Sequence, residues 1–245
     1  MFLQNKIALV TGGSRGIGRA VSMRLAKEGA AVIVNYNSNT EAAEDVVAQI
    51  RAGGGQASAV RADVADLAAV EAMFDTIDLD YPGLDILVNN AGAAAFKPLA
   101  EVTASEFDAL FATNVRGLFF LTQIAAGRLR DNGRIVNVSS GITRANAAGG
   151  SAYSGSKAAV EAFTRCWAAE LGGRGITVNT VSPGMVETDM LMAVMPEERR
   201  AAAAASTLLG RLGKPEDLAD AIVALCGNDG RWITAQNILV NGGMA

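Results

Sequence analysis

Tyr153 and Lys157 are the residues best placed to move a proton. In a helical stretch their spacing of four sets both side chains on one face. A phenol of ordinary pKa, near 10, holds its proton too tightly for acid–base work at neutral pH. A neighbouring ammonium favours the phenolate, by up to about 4 kcal/mol, or roughly three pKa units, at about 4 Å and an effective dielectric near 20. Ser140 ends a predicted strand, and in open α/β sheets ligands sit outside the carboxyl ends of strands. The three groups are therefore expected to converge. A helix-surface tyrosine beside a solvated lysine is the plainer alternative; it loses ground because a glycine-rich turn points to the same place.

That turn runs Thr11-Gly12-Gly13-Ser14-Arg15-Gly16-Ile17-Gly18 and joins the first predicted strand to an amphipathic helix. Residues without Cβ let the chain turn sharply and let a pyrophosphate approach the free N–H groups at the helix start. The TGxxxGxG spacing differs from the general GxGxxG fingerprint, but its position after the first strand fits a dinucleotide site. In such folds an acid ending the second strand binds the adenosine ribose and repels a 2′-phosphate. Asn35, Tyr36 and Asn37 stand there instead, and Arg15 offers a guanidinium for that phosphate. NADP(H) is the expected cofactor, with NAD(H) a possible second.

Composition removes other chemistries. The 245 residues include no His, which excludes a Ser-His-Asp triad, a His-paired thiol and a His-bearing zinc site, and no metal ligand set is expected. Cys166 and Cys226 have no CxxC partner and read as buried thiols in a reducing compartment. With 21 Lys+Arg against 25 Asp+Glu and no dense basic cluster, nucleic acid is not an expected partner. No stretch reaches the roughly 18 apolar residues of a membrane span, and the N-terminus enters the glycine turn without a cleavage site, so a cytoplasmic location is expected.

The elements that would carry these groups alternate. Apolar runs at Ile7–Thr11, Ala31–Tyr36, Gln56–Arg61, Leu84–Asn89, Arg134–Ser139, Gly175–Val181 and Asn237–Val240 read as strands, each separated by enough chain for a crossover helix. Such a pattern gives an α/β fold: a doubly wound, seven-stranded parallel sheet with helices on both faces. Capping-box spacing at Ser38 with Glu41 and at Thr103 with Glu106 marks helix starts, as does Pro215. Long helices are expected near Glu106–Arg130 and from about Ala152 to Gly172–Gly173, while Ala201–Ala205 is too short for more than a helix turn. Nothing resembles a linker or a repeat, so residues 1–245 read as one domain.

Taken together, these motifs resemble the short-chain dehydrogenase/reductase family over essentially the whole chain. The match rests on Gly12, Gly16 and Gly18, the Asn89-Asn90-Ala91-Gly92 run, Asn114, Ser140, Tyr153, Lys157 and Pro183-Gly184. The resemblance implies a single Rossmann domain in which Tyr153 is the general acid or base and Ser140 binds the substrate oxygen. Lys157 would hold the nicotinamide ribose and, with Asn114, support a proton-relay water. Cofactor contacts are implied at Ser14, Arg15, Ile17, Asn35, Tyr36, Asp63, Val64, Asn90, Ala91, Gly92, Pro183, Gly184, Val186 and Thr188. Asp63 also reads as a turn residue, and Pro183-Gly184 as a plain turn.

The same resemblance makes residues 186–211 a lid over the substrate; Met190, Leu191, Met192, Val194, Met195, Leu208 and Leu209 would give it an adaptable apolar lining, although core packing explains them about as well. The pattern is most similar to 3-oxoacyl-acyl-carrier-protein reductases and versatile ketoreductases. Arg174 matches a carrier-docking position, but Asp131 stands where the carrier-binding reductases have another basic residue. A small free ketone or aldehyde is the first expectation and a carrier-bound 3-oxoacyl group the second. A cofactor-sensing scaffold without turnover is a remote third, since Tyr153 and Lys157 are both kept. Small residues on the long helices and the family's habit imply a homotetramer, with a homodimer as the fallback.

Overall fold

The computed structural model describes residues 1–244, apart from the side chains of Met190, Ala193 and Val194. Strands β1 (Ile7–Val10), β2 (Ala31–Tyr36), β3 (Gln56–Arg61), β4 (Leu84–Asn89), β5 (Leu129–Val138), β6 (Thr177–Pro183) and β7 (Asn237–Val240) form one parallel sheet. Its order is β3-β2-β1-β4-β5-β6-β7. The helices are α1 (Gly16–Lys27), α2 (Thr40–Ala52), α3 (Leu67–Asp80), α4 (Ala104–Phe111), α5 (Leu118–Arg128), α6 (Ser151–Leu171), α7 (Asp189–Val194), α8 (Glu197–Ala205) and α9 (Pro215–Cys226).

Successive strand residues point to opposite faces, and here both faces are covered, which is why the strands read as continuous apolar runs. Val10, Val34 and Val136 pack with Val21, Leu25, Val46 and Ile222 of α1, α2 and α9. Their neighbours Leu9, Ile33 and Ile135 pack with Phe74, Leu121, Val160 and Trp167 of α3, α5 and α6. The strand order reverses between β1 and β4, so their connections leave in opposite directions and open a crevice at the carboxyl ends.

Several local expectations need correction. The cap of α2 is Asn39, whose side chain accepts from the Ala42 amide, and not Ser38 with Glu41. Thr103 and Glu106 do form a capping box. β5 begins at Leu129, five residues before the expected start, because Asp131-Asn132-Gly133 is a bulge in the strand instead of a turn ahead of it; Asn132 takes a left-handed φ of 62°. β6 starts later than expected, at Thr177, and runs on through Pro183. Ala201–Ala205 closes a nine-residue helix, α8. Cys226 is buried, as expected, but Cys166 is exposed. The helix from Ala104 to Arg128 is long and apolar enough to cross a membrane by length and composition, although polar residues interrupt its apolar run. It is interrupted by a wide π-helical stretch over Ala112–Gly117, and Leu110, Leu118, Leu121 and Ala125 are buried inside the protein.

Candidate functional site

The glycine turn closes the β1 end of the crevice. Gly12 and Gly16 sit at φ 60° and 50°, where side chains are strained. A Cβ on Gly18 would meet the Gly12 carbonyl oxygen at 2.2 Å. The turn is strapped from the far side of the crevice: Asn90 Nδ2 donates to the carbonyls of Thr11 and Gly12 at 2.9 and 3.0 Å, and Thr11 Oγ1 accepts from the amides of Asn90 and Ala91 at 3.0 Å. α1 starts with neither a capping side chain nor an acid in its first turn, so its leading amide donors remain open to an anion. Arg15 is exposed at that start, and among the described residues its side chain has no hydrogen-bond partner. These features fit a dinucleotide phosphate.

Not every expected contact faces this cleft. Asn35 is buried and spends its amide inside the protein, accepting from the Gly12 amide and donating to the carbonyls of Val60 and Ala62. Tyr36 is buried too. Asp63 forms a turn with the Ala65 amide at 2.9 Å, and Val64 is buried. The exposed cation that sequence reading passed over is Arg61, whose Nε donates to the Asn37 carbonyl at 2.9 Å and so sits at the loop after β2. Its position opposite Tyr36 follows from the β2–β3 register. On the other side, Thr188 caps α7 and reaches back to the turn, its Cγ2 lying 3.2 Å from where a Gly16 Cβ would be. Pro183 and Gly184 end β6 behind it, and Val186 is buried, bridging to Gly213.

Ser140 lies beside Tyr153, and Lys157 and Asn114 both flank Gly92. Lys157 is buried at 4% exposure, and its ammonium donates to the Val138 carbonyl at 2.9 Å. Burial pushes its pKa down to about 8. An ammonium carries three donors; Val138 is the one acceptor found for it among the described residues, leaving two N–H groups open. Gly92 keeps this corner open, since a Cβ there would lie 3.2 Å from the lysine Nζ. Asn114 sits in the π-helical stretch, where its amide bonds to the amide and carbonyl of Ala93 and to Ser156 Oγ. The expectation that Lys157 makes the phenol acidic needs correction. Burial dominates at Tyr153 and raises its pKa, and the nearby Ser140 hydroxyl is what opposes it.

Phe96 was missed by sequence reading. It is 62% exposed, and its ring lies 5.6 Å from that of Tyr153. The signal available was a lone aromatic residue after Ala93-Ala94-Ala95. In the expected lid, Leu208 and Leu209 are exposed and Met192 is partly so; Met190 and Val194 lie outside the described side chains. Arg174 is engaged, pairing with Asp131 at 3.0 Å and donating to the carbonyls of Ala126 and Leu129.

A family model described as enoyl-(acyl carrier protein) reductase matches residues 12–245. The chain is 42% identical to a hydroxynaphthalene reductase-like protein of Metarhizium brunneum, covering 98% of this chain and 95% of that one. It is 40% identical to a tetrahydroxynaphthalene reductase of Pyricularia oryzae, covering 98% and 90%. A short-chain dehydrogenase from Burkholderia cenocepacia, solved in complex with NADP, superposes with a TM-score of 0.94 at 42% identity over 100% of this chain and 99% of that one. Fold, site and relatives agree that the chain belongs to the short-chain dehydrogenase/reductase family.

Proposed function

We propose that the protein reduces a ketone or aldehyde to an alcohol, or runs the reverse reaction, with NADP(H). The observation that carries this reading is the phenol of Tyr153 lying beside Ser140, on the helix that buries Lys157. When bound, the dinucleotide supplies or takes up the hydride. The open amides of α1 and the Arg15 guanidinium would hold its phosphates, and Lys157 its ribose. Ser140 donates a hydrogen bond to the substrate oxygen as charge gathers there, while Tyr153 delivers the proton. Asn114, with its amide bonded to Ala93 and Ser156, fixes the floor beneath Lys157.

The exposed Phe96 beside Tyr153 and the apolar residues of segment 186–211 support a free, largely apolar substrate, with that segment acting as a lid. Carrier-bound 3-oxoacyl reduction is the second reading; the closed Arg174–Asp131 pair counts against it, because the guanidinium is already neutralised. The test is NADPH oxidation over a panel of ketones, aldehydes, keto esters and a 3-oxoacyl carrier protein. Turnover of free carbonyls is expected to exceed that of the carrier substrate, and cofactor binding with no turnover on any carbonyl would defeat the reading. The protein is taken to act in the cytoplasm as a homotetramer, the partly exposed Phe119, Phe120 and Phe163 on α5 and α6 supporting self-association.

Cofactor choice has its own test. Arg15→Ala is expected to raise KM for NADPH about tenfold, corresponding to about 1.4 kcal/mol, and to leave KM for NADH within about twofold. A wild-type preference for NADH would overturn it.

A further inference from the structure

We propose that Glu161 is a positioning residue for this site, its carboxylate clamping the turn that carries Ser140 onto α6. Residues 153, 157 and 161 follow at intervals of four, so Glu161 stands on the same helix face one turn beyond Lys157. Its Oε1 accepts from Ser139 Oγ at 3.0 Å and from Thr143 Oγ1 at 2.8 Å. Those two hydroxyls bracket Ser140 in the chain. One carboxylate oxygen therefore grips the turn on both sides of Ser140.

Each hydroxyl has a second acceptor in reach: the Lys157 carbonyl at 3.2 Å for Ser139, and the Ser140 carbonyl at 3.0 Å for Thr143. A hydroxyl has one proton to give, and an ionised carboxylate is the stronger acceptor, so both protons go to Glu161. The turn has little freedom elsewhere. Ser140 Oγ accepts from the Ile142 amide at 3.3 Å, Ser154 Oγ donates to the Ile142 carbonyl at 3.3 Å, and a Cβ on Gly141 would lie 3.2 Å from the Pro183 carbonyl oxygen. Without the clamp, the hydroxyls fall back on backbone carbonyls, Ser139 on that of Lys157 and Thr143 on that of Ser140, which leaves the chain able to fold but frees the Thr143 side of the turn from α6.

The inference rests on Ser140 and Tyr153 being the reacting pair, and its test separates the two. Glu161→Leu, with Tyr153 intact, is expected to lower kcat about 10²-fold, the scale of an ångström's misplacement, with KM for NADPH changed less than about twofold. Amide exchange at residues 140–144 is expected to quicken in the same variant. Glu161→Gln keeps an acceptor oxygen at the same reach and is expected to restore kcat to within about threefold of wild type, with exchange as slow as in wild type. Should the Leu variant not fold, Ser139→Ala with Thr143→Val removes the donors instead and is expected to give the same loss. The proposal is overturned if the Leu variant keeps its kcat and slow exchange, or if Gln loses as much as Leu. Failure of the catalytic reading shows independently, in Tyr153→Phe.

Discussion

Tyr153→Phe is expected to lower kcat by about 10²–10⁴-fold while leaving the dissociation constant for NADPH within about twofold. The change removes a single oxygen and keeps the ring that packs beside Phe96, so little contact area is lost. What goes is the proton donor beside Ser140. The direction of the phenol's shift also fixes a pH dependence. Because burial raises its pKa, the group is protonated through neutrality. Carbonyl reduction, which consumes that proton, is expected to be level near neutral pH and to fall in alkali; alcohol oxidation, which needs the phenolate, is expected to climb with pH. Rate profiles in both directions check this, and a Phe variant with most of its kcat would remove Tyr153 from the chemistry.

Gly18→Ala is the second large effect. The added carbon would lie 2.2 Å from the Gly12 carbonyl oxygen and 2.5 Å from Asn90 Nδ2, and neither can retreat without opening the strap on the glycine turn. Overpacking of this kind costs about 1–3 kcal/mol, or about 2–4 °C in Tm for each kcal/mol in a chain of this size. The first turn of α1 must shift, and KM for NADPH is expected to rise at least about tenfold, equivalent to about 1.4 kcal/mol. Gly127→Ala is the matched control, since a Cβ there has nothing within 4 Å. Equal KM values for the two variants would show that the α1 start does not hold the cofactor.

Much of this was legible in the residues. Alternating apolar runs sufficed for the doubly wound sheet because each strand is buried on both sides, and the four-residue spacing of Tyr153 and Lys157 placed them on one helix face. What escaped depended on partners distant in the chain. Asn35 looked like a cofactor contact from its place at the end of β2, but its amide is consumed by Gly12, Val60 and Ala62. Lys157 looked like the tyrosine's acidifying neighbour, yet burial is the larger influence on the phenol and raises its pKa. The early start of β5 escaped because Asp131-Asn132-Gly133 interrupts the apolar run, and only the pairing with β4 shows the strand passing through it.

The π-helical stretch at Ala112–Gly117 has an arithmetic of its own. A turn of that width accommodates one residue more than a regular helix. Deleting one residue there would straighten the rod from Ala104 to Arg128, and the shorter chain would gain robustness to heat. It would also swing Asn114 away from Ala93 and Ser156, trading the enzyme's floor for a sturdier beam.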